Sequence, residues 1–311
     1  MSSDVSLILP ASSEAGGASA VSLDESREFC QQLTRREARN FYYGLRLLPE
    51  PKRGAMYALY AYMRLLDDIA DADDGRSLRQ RLEDVNAWQE MTRDALEGRM
   101  PDRTAANGAH RLWPAFADMV QRHGVPGECF EDAIAGQRQD LEPVRFDTFD
   151  ELREYCRRVA GVVGVASIYI WGFDGGQETV NLALERGLAF QLTNILRDLR
   201  EDATNGRIYL PREDLAARAV TEKAILAGSA GEGFAELMRF EIERARSAYE
   251  RSAELESRIA PDSRATLVAM TAIYRGLLNK IAQEPDSVLK RRVSLSLITK
   301  LQIAWRATRG V

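Results

Sequence analysis

The chain of 311 residues is 45% hydrophobic and 29% charged, with a formal net charge of −5. That is the balance of a globular protein long enough for one large domain. Without a block of Lys or Arg it offers no footprint for nucleic acid. Only His110 and His123 are present, which excludes an HExxH zinc site and most His-based nucleophile chemistry. Cys30, Cys129 and Cys156 are far apart and lack CxxC spacing, as expected of reduced thiols in a cytoplasmic protein. Any metal must then be held by carboxylates, which select a hard cation, Mg2+ or Mn2+.

Along the chain, the opening MSSDVSLILPASSEAGGASA lacks a basic segment, and its apolar run is too short for a signal peptide. Rich in Ser, Ala and Gly, it predicts a disordered tail over residues 1–22, ahead of one domain over 23–311. Apolar residues at spacings of three and four then predict helices over Leu23–Thr34, Glu50–Ala72, Leu78–Leu96, Ala109–His123, Glu128–Gln139 and Phe149–Trp171. The same pattern continues over Thr179–Asp202, Gly233–Ile259, Pro261–Glu284 and Ser294–Ala307. Breakers fall between them, among them Pro49-Glu50-Pro51, Val125-Pro126-Gly127, Gly175-Gly176 and Asn205-Gly206. Alternating strand patterns are nearly absent. The short Arg207–Pro211 piece reads as a strand or an extended turn. The longest uncharged run, Val159–Phe173, falls short of the ~20 residues that span a bilayer. The reading is all-α: a single bundle of roughly ten helices around a central cavity.

Two of these helices carry clustered carboxylates within apolar sequence. In the first, Tyr60, Arg64, Asp67 or Asp68, and Asp71 share a polar stripe. Asp67 and Asp71 stand one turn apart, ~6 Å along the axis. In the second, Gln191, Asn194, Asp198 and Asp202 recur at three, four and four, with Arg197, Glu201 and Arg207 beside them. One acidic stripe can be a solvated face. Two, each embedded in apolar neighbours, predict a facing pair that holds divalent metal, with arginines for phosphate oxygens. Such a pair neutralises a diphosphate and lets it leave. Neither GxxxxGK[ST] nor GxGxxG occurs, so the usual glycine-rich phosphate cradles are excluded. The stretch Val159–Ser167 carries Gly161 and Gly164, which serve equally as an open cavity wall or as close helix–helix packing.

These motifs resemble the squalene/phytoene synthase family, the head-to-head trans-prenyl transferases. The matching pieces are Asn40–Tyr43 with Leu47-Leu48-Pro49, Ala58–Asp71, Gly136–Leu141, Tyr155–Gly164, Gln191–Asp202 and Gly206–Pro211. Their order and spacing match over about residues 25–295. The resemblance implies the isoprenoid synthase fold, dependence on Mg2+ (with Mn2+ as substitute), and joining of two prenyl diphosphates through their C1 ends. It implies that one substrate ionises to an allylic cation, which the double bond of the other attacks to give a cyclopropylcarbinyl diphosphate. By this match Asp67, Asp71, Asn194, Asp198 and Asp202 are implied as metal ligands. Asp67, Asp71, Asp198, Asp202, Tyr60 and Arg64 form the implied catalytic set. Arg64, Arg197, Arg207, Tyr209, Tyr274 and Arg291 match positions near the diphosphates. Phe41, Tyr60, Val159, Ala160, Gly164, Leu188 and Gln191 match positions around the prenyl chains. The chain departs from the family pattern at Ala38, where Ser is common, and at Glu37 and Arg39, where the family has a Lys or His nearby.

The resulting expectation is condensation of two farnesyl diphosphates to presqualene diphosphate or a squalene-type C30 product. The alternative is phytoene synthesis from two geranylgeranyl diphosphates. A head-to-tail elongase or terpene cyclase on the same fold, and a non-catalytic helical scaffold, are the remaining readings. No NADPH motif is recognisable, and its use stays open. The apolar product suggests contact with a membrane surface or with a downstream isoprenoid enzyme, although no basic amphipathic helix stands out in the sequence. Oligomeric state is not legible.

Overall fold

The computed structural model describes residues 21–38, 41–71, 75–101, 106–229 and 231–309. Among them are fifteen α-helical segments and no strand, with one isolated bridge between Phe173 and Ile259. The tail expected over 1–22 lies outside the described residues, apart from Val21 and Ser22.

Ser22 starts α1 (Leu23–Glu37) through a capping box in which Glu25 returns to the Ser22 backbone. The short α2 (Tyr42–Leu45) leads into α3 (Lys52–Asp71), the first acidic helix. Ser77 and Gln80 cap α4 (Leu78–Leu96) in the same manner. Then follow α5 (Trp113–His123), which Gly124 ends in the left-handed region at φ 62°, and α6 (Glu128–Gln139). The predicted helix Phe149–Trp171 is two helices, α7 (Phe149–Cys156) and α8 (Val162–Trp171), joined by a π-helical turn over Arg157–Gly161. Helix α9 (Gly176–Thr204) is 29 residues long and carries the second acidic stripe. The remainder comprises α10 (Arg212–Ala217), α11 (Glu222–Leu226), α12 (Phe234–Arg251), α13 (Leu255–Arg258), α14 (Pro261–Gln283) and α15 (Leu297–Arg309). Residues 207–211 are neither helix nor strand. They are an extended connector whose Ile208, Tyr209 and Leu210 are buried.

Two apolar clusters form the core. One gathers side chains of α1, α3, α4, α5, α6 and α8 around an aromatic nest. In it Tyr62 stacks on Phe116 at 4.6 Å and meets Phe130 at 5.0 Å and Trp88 at 5.3 Å. The other joins α7, α9, α12 and α14. Phe41 and Phe190 pack against both. Helix α3 belongs to the first cluster and α9, from Leu188 onward, to the second, so their polar stripes meet along the seam.

The glycine contacts bear on the choice left open for Gly161 and Gly164. A Cβ on Gly164 would lie 2.8 Å from the Ala183 carbonyl oxygen, and one on Gly187 would lie 2.6 Å from Gly161 Cα. These residues let α8 and the π-turn approach the α9 backbone. Gly164, expected beside a prenyl chain, is placed against the Ala183 backbone.

Candidate active site

Helix α3 presents Tyr60, Met63, Arg64 and Asp67, and α9 presents Gln191, Asn194, Arg197, Asp198, Glu201 and Asp202, to two cavities that share Arg64, Asp67, Asn194, Arg197 and Arg292. The first, about 360 Å3, is walled by charged groups and closed by Gln137, Asp140, Tyr155, Val159, Arg207 and Tyr209. The second, about 470 Å3, adds Phe41, Tyr60, Met63 and Tyr274, with Ser294 and Lys300 at its rim. A charged chamber beside one with a partly apolar wall of Ala38, Phe41, Met63 and Val293 suits a ligand with an anionic head and a hydrocarbon tail.

Each acidic stripe is anchored. On α3, Arg64 pairs with Asp68 at 2.6 Å, one turn on. The Asp67 carboxylate accepts a hydrogen bond from the Gln137 side-chain amide of α6. The side chain of Asp71 lies outside the described residues. On α9, the Arg197 Nε donates to Asp198 Oδ1 at 2.9 Å, and Arg292 reaches the same oxygen at 2.8 Å. Arg292 also stands 3.7 Å from Glu201. Arg197 is 7% exposed. Burial works against its charge, yet the hydrogen bond and charge of Asp198 outweigh burial and hold the guanidinium above its ordinary pKa. Breaking this pair from one side would strand a buried charge.

Below α9, Asp140 organises the floor. Its carboxylate accepts from the Tyr155 hydroxyl at 2.8 and 3.0 Å and from the Tyr209 hydroxyl at 3.2 Å. Its carbonyl oxygen accepts from Arg207 at 3.1 Å. Burial, reinforced by the Asp140 charge, pushes both phenols above their usual pKa, so they stay protonated donors at neutral pH. Burial does the same to Tyr60 and to Tyr274. Tyr274, from α14, is fixed by ring contacts with Phe190 at 4.5 Å and Phe41 at 5.4 Å.

Most of the residues matched from sequence converge here: Phe41, Tyr60, Arg64, Asp67, Val159, Gln191, Asn194, Arg197, Asp198, Asp202, Arg207, Tyr209 and Tyr274. Besides Gly164, which packs on α9, three are placed elsewhere. Arg291 is exposed and lies 3.8 Å from Glu284, while its neighbour Arg292, also exposed, reaches Asp198. Leu188 is buried and lines a separate opening with Arg153, Glu154 and Leu184. The Ala160 carbonyl abuts Gly187 in the helix contact. Arg292, Gln137, Asp140, Tyr155 and Lys300 were missed. Gln137, Asp140 and Tyr155 lie within quoted motifs whose roles nothing local revealed, and Arg292 is one residue from the arginine chosen.

Oxygen donors of the type a hard cation takes line the charged chamber: Asp67, Asn194, Asp198, Glu201 and Asp202. The Asn194 Oδ1 is buried and has no hydrogen-bond partner, an acceptor left over for a ligand. Among the described residues no three His, Cys, Asp or Glu side chains stand as a ready-made metal site. The donor chemistry fits Mg2+ or Mn2+, with Asp198 now neutralised by arginines.

The squalene/phytoene synthase family profile matches residues 34–299. Phytoene synthase of Arthrospira platensis is 37% identical over 283 residues, 86% of this chain and 87% of its own length. The 15-cis-phytoene synthase of Synechococcus elongatus is 33% identical, with 90% and 91% covered. Among solved structures, a dehydrosqualene synthase bound to a ligand superposes with a TM-score of 0.82 at 28% identity, covering 93% of this chain and 97% of the other. Squalene synthase HpnC from Alicyclobacillus acidocaldarius gives 0.75 at 28%, over 84% and 95%. With an all-helical frame, two facing acidic stripes and a family match across most of its length, the chain belongs to the squalene/phytoene synthase family.

Proposed function

We propose that the protein joins two prenyl diphosphates head to head, and that the chamber between α3 and α9 takes their diphosphates. The carrying observation is the joined pair of cavities, one walled by charge and one partly apolar, that share Arg64, Asp67, Asn194, Arg197 and Arg292. Arg64, Arg207 and Arg292 supply guanidinium forks for phosphate oxygens. Tyr60 and Tyr274, kept protonated by burial, border the partly apolar chamber as neutral donors. Phe41 and Met63 give the hydrocarbon a dry wall that keeps water from an allylic cation. Asp67, Asp71, Asn194, Asp198 and Asp202 are the proposed holders of Mg2+. When bound, the cation would offset diphosphate charge and ease its departure.

For chain length, the sequence relatives at 31–37% identity carry the name phytoene synthase, which favours two geranylgeranyl diphosphates and a C40 product. The second reading, two farnesyl diphosphates and a C30 product, rests on the dehydrosqualene and squalene synthase structures at 28% identity. Purified protein is incubated with Mg2+ and either substrate, with and without NADPH. Extracts are weighed by mass spectrometry before and after phosphatase. A C40 product supports the first reading, and a C30 hydrocarbon or diphosphate the second. No coupled product from either substrate overturns head-to-head condensation.

A further inference from the structure

Helix α15 leaves an apolar stripe uncovered. Leu297, Leu301 and Trp305 recur every four residues, one above the other, and Ile298 lies beside them. They are 52%, 47%, 56% and 69% exposed in that order. Half-buried Ile303 lies on the opposite side and buried Ala304 at the edge of the stripe, where the helix packs against α14 and α2. Exposure is therefore confined to one face of a docked helix. Scattered single apolar residues need no explanation, whereas four in one stripe do.

Charge identifies the occupant. From Lys290 to Arg309 the chain holds Lys290, Arg291, Arg292, Lys300, Arg306 and Arg309 and not one Asp or Glu. This stands against a net charge of −5 for the whole. Arg306 and Arg309 are exposed. Arg309 lies 4.0 Å above the Trp305 ring, so the indole has a cation on its face. An aromatic and aliphatic face bordered by cations suits the headgroup boundary of an anionic bilayer, with the apolar face shallowly buried and basic groups on phosphates. A second copy pairing through the same face would set these cations against one another.

We propose that α15 docks the protein on anionic lipid, with Leu297, Ile298, Leu301 and Trp305 inserted and Arg306 and Arg309 on the headgroups. No basic amphipathic helix stands out in the sequence because the pattern shows only once packing has covered Ala304 and Ile303. The proposal stands on this surface alone and does not depend on the prenyl-transfer reading. Lys300, on the same helix, also borders the cavity, so docking would bring that mouth near the bilayer.

The test is sedimentation of the full chain with vesicles of phosphatidylcholine alone or mixed with phosphatidylglycerol. Trp88, Trp113 and Trp171 are buried, leaving Trp305 as the exposed indole. A blue shift of indole emission on adding anionic vesicles reports insertion, and Trp305→Phe removes it. We expect binding to require phosphatidylglycerol and to weaken with salt. Ile298→Glu/Trp305→Glu should reduce it by about tenfold or more, with thermal stability and turnover of water-dispersed substrate unchanged. Arg306→Gln/Arg309→Gln should weaken it while keeping the shift at high lipid. Absence of wild-type binding, equal binding to neutral vesicles, or binding untouched by both double variants overturns the proposal. So does a wild-type oligomer in light scattering that Ile298→Glu/Trp305→Glu converts to monomer, because the stripe would then bury against a second copy.

Discussion

Gly187→Ala tests whether the glycine contact between α9 and the π-turn holds the two halves of the site at their spacing. The added methyl would sit 2.6 Å from Gly161 Cα and 2.7 Å from the Ala160 carbonyl oxygen. Comfortable carbon–carbon contact begins at ~3.5 Å, so the backbones must part by about 1 Å. Neither obstacle is a side chain that can rotate away. The cost therefore belongs near the top of the overpacking range, about 3 kcal/mol. Ala is the better helix former by about 1 kcal/mol. The net loss is about 2 kcal/mol, a fall in Tm of roughly 3 °C for a chain of this length. Gly54→Ala in α3 is the control, since there a Cβ meets only the mobile end of Glu50, Oε2 at 3.2 Å. It should keep most of the propensity gain. Calorimetry of both variants beside wild type gives the comparison, and turnover of Gly187→Ala should fall as α9 carries Asn194 and Asp198 away from α3. A Gly187→Ala protein melting at or above Gly54→Ala would refute the reasoning.

Asp198→Asn keeps the shape and removes the charge. It should retain its circular dichroism spectrum and lose turnover by about 10²–10³-fold, and near-wild-type turnover would remove Asp198 from the proposed cation site. Tyr155→Phe deprives the buried Asp140 of its shorter donor, and should cost about 1–2 kcal/mol in urea denaturation; an unchanged midpoint would mean that Tyr209 and the backbone already satisfy it. The third concerns pH. Glu241 is buried beside Arg244, at 2.8 Å, and near Asp214. Burial, opposed by Arg244 and aided by Asp214, pushes its pKa up from 4.5 to about 7. The folded state then holds a proton that the unfolded state has released, so this residue makes stability fall as pH rises from 4.5 to 7. Glu241→Gln should flatten that slope in thermal melts across the window, and an unaltered slope would show that other groups set it.

The ten long helices and both acidic stripes were legible because each repeats a helical period over several turns. Short helices such as α10 and α11 were missed, for six and five residues carry too little periodicity. The charged half of the site could be read from spacing on one element, as with Asn194, Asp198 and Asp202. Its partners from elsewhere could not. Gln137 reaches Asp67 from α6, and Arg292 reaches Asp198 from the segment before α15. Contacts across that many residues leave no periodic mark. The choice of Arg291 over Arg292 fails for the same reason, since two adjacent arginines in an irregular segment differ only in direction. Gly161 and Gly164 were ambiguous because a missing side chain fits both a void and a tight contact, and only the position of Ala183 and Leu184 decides between them.

The π-turn sets the bearing of everything downstream of it. At Arg157–Gly161 the Val162 amide bonds back five residues to the Arg157 carbonyl, so the segment carries one residue more than an α-turn would. That extra residue is a phase offset of about 100° between α7 and α8. Upstream of it Tyr155 is aimed at Asp140. Downstream, Gly164 is aimed at Ala183. A straight α-helix with the same letters would satisfy one of these appointments and miss the other. Deleting a single residue within the turn would therefore behave less like a local lesion than like a dialling error, rotating ten residues of α8 out of phase with the helix they pack against.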